Sequence, residues 1–248
     1  LLGPYVHSPL LGPVNEGLRR LGQALGGVRD LDVALLKAEA YARTLPPEQA
    51  AALDGLLASW RRQRDAARRR MMRYLDSQAQ ARFHTRFQAL LLALQRQEPV
   101  GPAGRQVGDA APRLVYLYWQ AIRAYEVVLA HAPIELLHLL RIDCKRLRYA
   151  IEFFRDVLNA EVTAAVSEVV ALQDHLGEMR DEAVAAAMIS TYLERPHPRH
   201  ARQAAEAYRA ACQAAEVARL EGFPAAWERF NRPKVTRALA SLVPAREG

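Results

Sequence analysis

Apolar residues recur at i, i+3, i+4 and i+7 along most of this chain, the spacing that gathers them on one face of an α-helix. The pattern predicts helices over roughly 13–41, 47–75, 78–95, 113–130, 133–158, 160–193 and 198–220, with a short tail around Trp227. Proline opens several of them, at Pro13, Pro47, Pro133 and Pro198, where a missing N–H costs nothing. No segment alternates polar and apolar residues as a half-buried strand would, so the expected class is all-α. Periodicity lapses over 97–112, where Pro99, Gly101, Pro102, Gly104 and Gly108 cluster. The expected organisation is a first helical repeat at 1–98, a linker at 99–112 and a second helical repeat at 113–248.

The two halves share a signature. Leu21, Leu25, Gly26, Arg29, Asp30 and Val33 reappear as Leu172, Leu176, Gly177, Arg180, Asp181 and Val184, each displaced by 151 residues. Six matches in register point to an internal duplication. The leucines and the valine keep a helical spacing, which puts Gly26 and Gly177 inside long helices. Glycine there costs about 1 kcal/mol of helix propensity, and the expected return is close approach of another backbone. The Arg-Asp pairs read first as intrahelical or interhelical ion pairs, and second as a source of ligand-binding arginines, Arg29 and Arg180.

The segment from His138 to Phe154 sorts its charges. At 100° per residue His138, Arg141, Lys145, Arg148 and Tyr149 fall within an arc of about 100°, while Leu140, Cys144, Leu147, Ile151 and Phe154 lie roughly opposite. A solvated surface helix usually alternates sign, whereas this face stacks cation over cation, with Asp143 and Glu152 as local offsets. A polyanion, or acidic residues elsewhere in the fold, would complete it. By the 151-residue offset, a twin of this helix would begin before Leu1. It is missing from the chain, which leads us to expect a truncated, processed or incompletely observed protein.

Charge sharpens the picture. The net charge is +7, the pI is near 9.7, and of 34 cationic side chains only Lys37, Lys145 and Lys234 are lysines. The arginine fork suits bidentate contact with phosphate oxygens, although a high-GC coding sequence would enrich arginine too. A second basic track lies in Trp60 to Met71. There Arg64 projects among the apolar positions and Arg68 at their edge, so both are expected to face inward or line a groove. Arg62, Arg69, Arg70 and Arg73 project away as a solvated face. Arg19 and Arg29 fall near the Gly22 and Gly26 side of their helix and could approach a central site. His138 is either a proton-dependent donor to an anion or a neutral residue hydrogen-bonded in the interior. Tyr149 either donates to a phosphate or packs.

Other chemistries find little support. Two cysteines are too few for a disulfide framework, and a reducing cytoplasm is the simplest compartment. No apolar run approaches the ~20 residues of a membrane span, and no signal-like segment is present. His197-Pro-Arg-His200 lacks a helical frame and further ligands, so no metal is expected. Neither a glycine-rich phosphate loop nor a pair of catalytic acids stands out, so no catalytic activity and no cofactor are expected.

His138-x2-Arg141-x3-Lys145-Arg146-Leu147-Arg148-Tyr149-x2-Glu152-Phe153-Phe154, followed by Leu172-Gln173-Asp174-x-Leu176-Gly177-x2-Arg180-Asp181, resembles the second repeat of the CHAD family, the conserved histidine α-helical domain. Leu25-Gly26-x2-Arg29-Asp30-Leu31-Asp32-Val33 resembles its first repeat, and the likeness extends over essentially the whole chain. The family's first His-and-Arg-rich helix has no equivalent here. The resemblance implies two antiparallel four-helix bundles related by pseudo-twofold symmetry, the first incomplete at its N-terminus. It implies an intracellular protein that binds inorganic polyphosphate on a basic face or central pore. It also implies partners among polyphosphate-granule proteins or triphosphate tunnel enzymes. Carried over by motif, His138, Arg141, Lys145, Arg146 and Arg148 are the ligand-binding residues, and Tyr149, Arg19, Arg29, Arg64, Arg68 and Arg180 join them as candidates from the residue reading.

Two further functions compete with that expectation. One is general nucleic-acid binding, RNA above all, by an arginine-rich surface. The other is an accessory role in a polyphosphate- or triphosphate-processing enzyme. Single-strand binders stack bases on exposed aromatics, and here only Tyr149 accompanies the cations, while Trp60, Trp119, Phe153 and Phe154 read as core.

Overall fold

The computed structural model describes residues 8–96, 107–129 and 133–242, and among these every regular element is helical. The helices are α1 (Leu11–Ala42), α2 (Pro47–Ala51), α3 (Asp54–Leu75), α4 (Gln78–Arg96), α5 (Val107–Arg123), α6 (Ile134–Phe153), α7 (Ala160–Leu193), α8 (Arg199–Phe230) and α9 (Pro233–Ala240). Short 3-10 turns follow α5 and α6.

Three departures from the sequence pattern have physical causes. The helix expected over 47–75 breaks at Ala52 and Leu53, because α2 buries no residue while Leu53, Leu56, Leu57 and Trp60 must all enter the core. Helix α5 begins inside the expected linker, with Gly108 and Pro112 in its first turns. Ala111 is completely buried in line with Val115, Trp119 and Ile122, which repays the hydrogen bond that Pro112 cannot donate. The remainder of that linker, 97–106, lies outside the described residues. Helix α8 runs through Pro224 because Phe223 and Phe230 on either side of it are both buried.

Packing divides the chain into two compact units. Among the described residues, one comprises 8–96 with 181–214, and the other 107–129 and 133–180 with 215–242. The packing therefore does not follow the chain-order division at 99–112, since 181–214 joins the N-terminal helices. The first unit has its core in Ala34, Leu35, Ala38, Leu56, Trp60, Ile189, Ala205 and Tyr208. The second is built on α6, whose Leu140, Cys144, Leu147 and Ala150 are wholly inaccessible, packed with residues of α5, α7, α8 and α9. Both cysteines are free and buried. Burial pushes the Cys144 thiol well above the ordinary range, as expected of a small hydrophobe rather than a reactive group.

Candidate anion-binding site

Leu140, Cys144, Leu147 and Ile151 seat α6 in the core of its unit, and that fixes which way its cations point. His138, Arg141, Lys145 and Arg148 are half-buried on the other face, while Arg146 and Tyr149 are exposed. These six divide into two groups with different surroundings.

The first group joins α6 to α7. The Arg141 guanidinium crosses onto Gly177, its Nε 3.3 Å from where a β-carbon on that glycine would stand. Glycine at 177 thus makes room for a charged side chain rather than for the second backbone expected from the sequence. One helical turn after Gly177 comes Arg180, which forms no ion pair among the described residues. Burial, then the positive charges of Arg180 and Arg141, hold the His138 imidazole below its ordinary value. Its Nδ1 is buried and meets no hydrogen-bond partner among the described residues. Arg141 of α6 and Arg180 of α7 therefore both disfavour the charged form of the His138 ring.

The second group lies further along α6 and is largely compensated. Arg148 donates from Nε to Glu152 at 2.7 Å, and this bond, with Asp174 of α7 nearby, raises its affinity for its proton. Arg146 donates to Asp143 at 2.8 Å, and the Tyr125 hydroxyl donates to the other oxygen of the same carboxylate at 2.8 Å. Lys145 and Arg148 both lie over the Tyr149 ring, at 6.0 and 5.8 Å from its centroid. Asp174 was not among the sequence candidates, and nothing in local spacing marks it, since it acts across from another helix.

The remaining candidates belong to the other unit and do not converge in the same way. Arg19 is exposed and shares Glu16 with Arg20. Arg29 is exposed, and among the described residues neither Arg29 and Asp30 nor Arg180 and Asp181 enter an ion pair, so the intrahelical or interhelical ion pairs expected of these motifs are absent there. Arg64 does line the seam between α1 and α3, where its Nε donates to Asp32 at 2.7 Å. Arg68, expected at the edge of the inward face, is exposed.

Phe153 is 68% exposed, set edge-on to Phe154 at 4.8 Å, so it is not core. Its helical phase, roughly 60° from His138, already placed it beside Tyr149. His197 stacks on Tyr192 at 3.8 Å and its Nε2 meets the Tyr192 carbonyl at 2.7 Å, which occupies it structurally. No group of histidine, cysteine, aspartate and glutamate suited to a metal occurs among the described residues. Nor is any helix among them long and apolar enough to cross a membrane.

No curated protein matches the chain. The model of the CHAD domain family matches residues 1–190, which leaves 191–248 outside a likeness expected to run nearly to the C-terminus. A match over most of the chain, covering both the basic face of α6 and the glycine-arginine segment of α7 that meets it, establishes that this protein belongs to the CHAD domain family.

Proposed function

We propose that the chain is a non-catalytic binding module for inorganic polyphosphate, with His138, Arg141 and Arg180 at the centre of its site and Lys145, Arg146, Arg148 and Tyr149 extending it along α6. The observation that carries this reading is that the Arg141 guanidinium of α6 comes up against Gly177 of α7, one turn before Arg180, and that both charges act on His138. Positive groups that converge on one ring from two helices suit a dense anion. Polyphosphate carries roughly one negative charge per phosphate along a flexible chain, so it needs a track of cations more than one shaped pocket. Membership of the CHAD family supports the same ligand class. On this reading the protein acts in the cytoplasm, at polyphosphate granules or beside a triphosphate tunnel enzyme.

Tyr149, 49% exposed, and Phe153 favour a second reading, single-stranded RNA binding, because they lie four residues apart on α6 and bases stack on such rings. Titration with long-chain polyphosphate and with single-stranded RNA of matched charge, repeated across salt, separates the two. Polyphosphate is expected to bind more tightly, and Arg141→Ala with Arg180→Ala to lower its affinity at least about tenfold and flatten the salt slope. Equal affinities that fall together with salt would reduce the site to an unspecific basic surface. Loss of RNA affinity in Phe153→Ala, with polyphosphate unaffected, would favour the second reading.

A further inference from the structure

We propose that an anion entering the cluster of His138, Arg141 and Arg180 draws a proton from solvent onto the His138 ring, so that binding and protonation are one coupled event. The inference rests on the polyphosphate reading and adds to it how the site responds to pH.

The geometry supplies the argument. His138 and Arg141 stand one turn apart on α6, and Arg180, one turn after Gly177 on α7, acts by its charge on the same ring. Gly177 leaves room for the Arg141 guanidinium to come up against α7 by its Nε–Nη2 edge. In the free protein a third positive charge among these groups is disfavoured twice, by the loss of water around the ring and by the two guanidinium groups. Among the described residues no negative group is among those acting on His138, and the helices packed with α6 in its core, α5, α7, α8 and α9, add no charge to it beyond that of Arg180. The buried Nδ1 has no hydrogen-bond partner among the described residues. A neutral imidazole offers one donor and one acceptor, and an acceptor facing phosphate oxygens is repelled. Protonated, both nitrogens donate. An anion held by Arg141 and Arg180 reverses the sign of the local field and makes the charged ring the favoured one.

The proton balance is simple. Water or buffer gives up one proton, the ring nitrogen that lacks one in the free protein accepts it, and no other bond changes. The free ring sits below its ordinary value and the bound ring is raised. Affinity is therefore constant below the free value, falls by up to about tenfold per pH unit between the two values, and levels off above the bound one.

Calorimetric titration of the full chain with long-chain polyphosphate near neutral pH, in buffers of different ionisation enthalpy, counts the protons taken up. Wild type is expected to take up as much as about one proton per cluster more than His138→Gln, and to lose the pH slope when that change is made. The terminal phosphates of the polymer also titrate, but equally with both proteins. In carbon-13 spectra of histidine-labelled wild type, the His138 ring should move from the neutral to the charged position as ligand is added. This second readout needs no variant to fold. Equal proton counts for wild type and His138→Gln, or a His138 ring already charged in the free protein, overturn the coupling and leave the binding reading intact. A wild type that does not bind polyphosphate overturns both.

Discussion

Helices α1 and α7 carry the same six-residue signature 151 positions apart, yet the structure treats the two copies differently. Leu176 is 1% exposed, while its counterpart Leu25 is 47% exposed. Val169 is fully buried and the residue in register with it, Leu18, is as open as Leu25. Gly177 lies under the Arg141 guanidinium, whereas a β-carbon on Gly26 would meet nothing within 4 Å. The difference is α6. It packs its leucines against α7 in one unit, and no described helix covers the corresponding face of α1. One motif therefore has two energetic meanings, and the neighbour decides which.

The comparison breaks most sharply at the leucines. Leu176→Ala removes a fully packed side chain from the core of its unit and should cost about 2–5 kcal/mol. Leu25→Ala trims a side chain that is half in water already, and should change stability by no more than about 0.5 kcal/mol. Urea denaturation of the two variants beside wild type measures both. Equal losses would mean that the α1 face is covered in solution.

Register alone does not assign roles either, as the position one turn after Val14 shows. Gly17 of α1 corresponds to Glu168 of α7, which is held in an ion pair by Arg229. The glycine is there because the Phe83 ring of α4 occupies the space a side chain would need. Gly17→Ala should therefore cost about 1–3 kcal/mol through displacement of the ring, read as a lower urea midpoint. An unchanged midpoint would show that α4 can shift freely.

Much of this was legible in advance, and the limits are instructive. The buried line of Leu140, Cys144, Leu147 and Ile151 follows from 100° per residue, because the periodicity of one helix is local information. The same projection put Phe153 beside Tyr149, but treating a large aromatic as core by default overrode it. The pairing of Arg148 with Glu152 is an i, i+4 contact and equally local. What no spacing carried was tertiary: that Arg141 would reach Gly177, that Asp174 would act on Arg148, and that Arg64 would be held by Asp32. The membership of 181–214 was hidden for a similar reason. Helices α7 and α8 are continuous in sequence, and nothing along them announces that their packing partners change.

The smallest expected effect is the sharpest test of the pair. In Gly26→Ala the new methyl meets nothing, so the variant gains helix propensity alone and should be more stable by about 0.5–1 kcal/mol. Gly177→Ala gains the same propensity, but its methyl would stand 3.3 Å from Arg141 Nε, tighter than a comfortable contact. The obstacle is a flexible side chain and not a backbone, so the guanidinium moves off and stability stays within about 0.5 kcal/mol of wild type. The displaced guanidinium no longer sits beside Arg180 and His138. Polyphosphate affinity should therefore fall in Gly177→Ala and not in Gly26→Ala, and Arg141→Ala should make the Gly177 change inconsequential. A double-mutant cycle on affinity, run beside urea denaturation, reads both quantities. If Gly177→Ala weakened binding equally with and without Arg141, the glycine would be acting on the site by a route other than the arginine that lies across it.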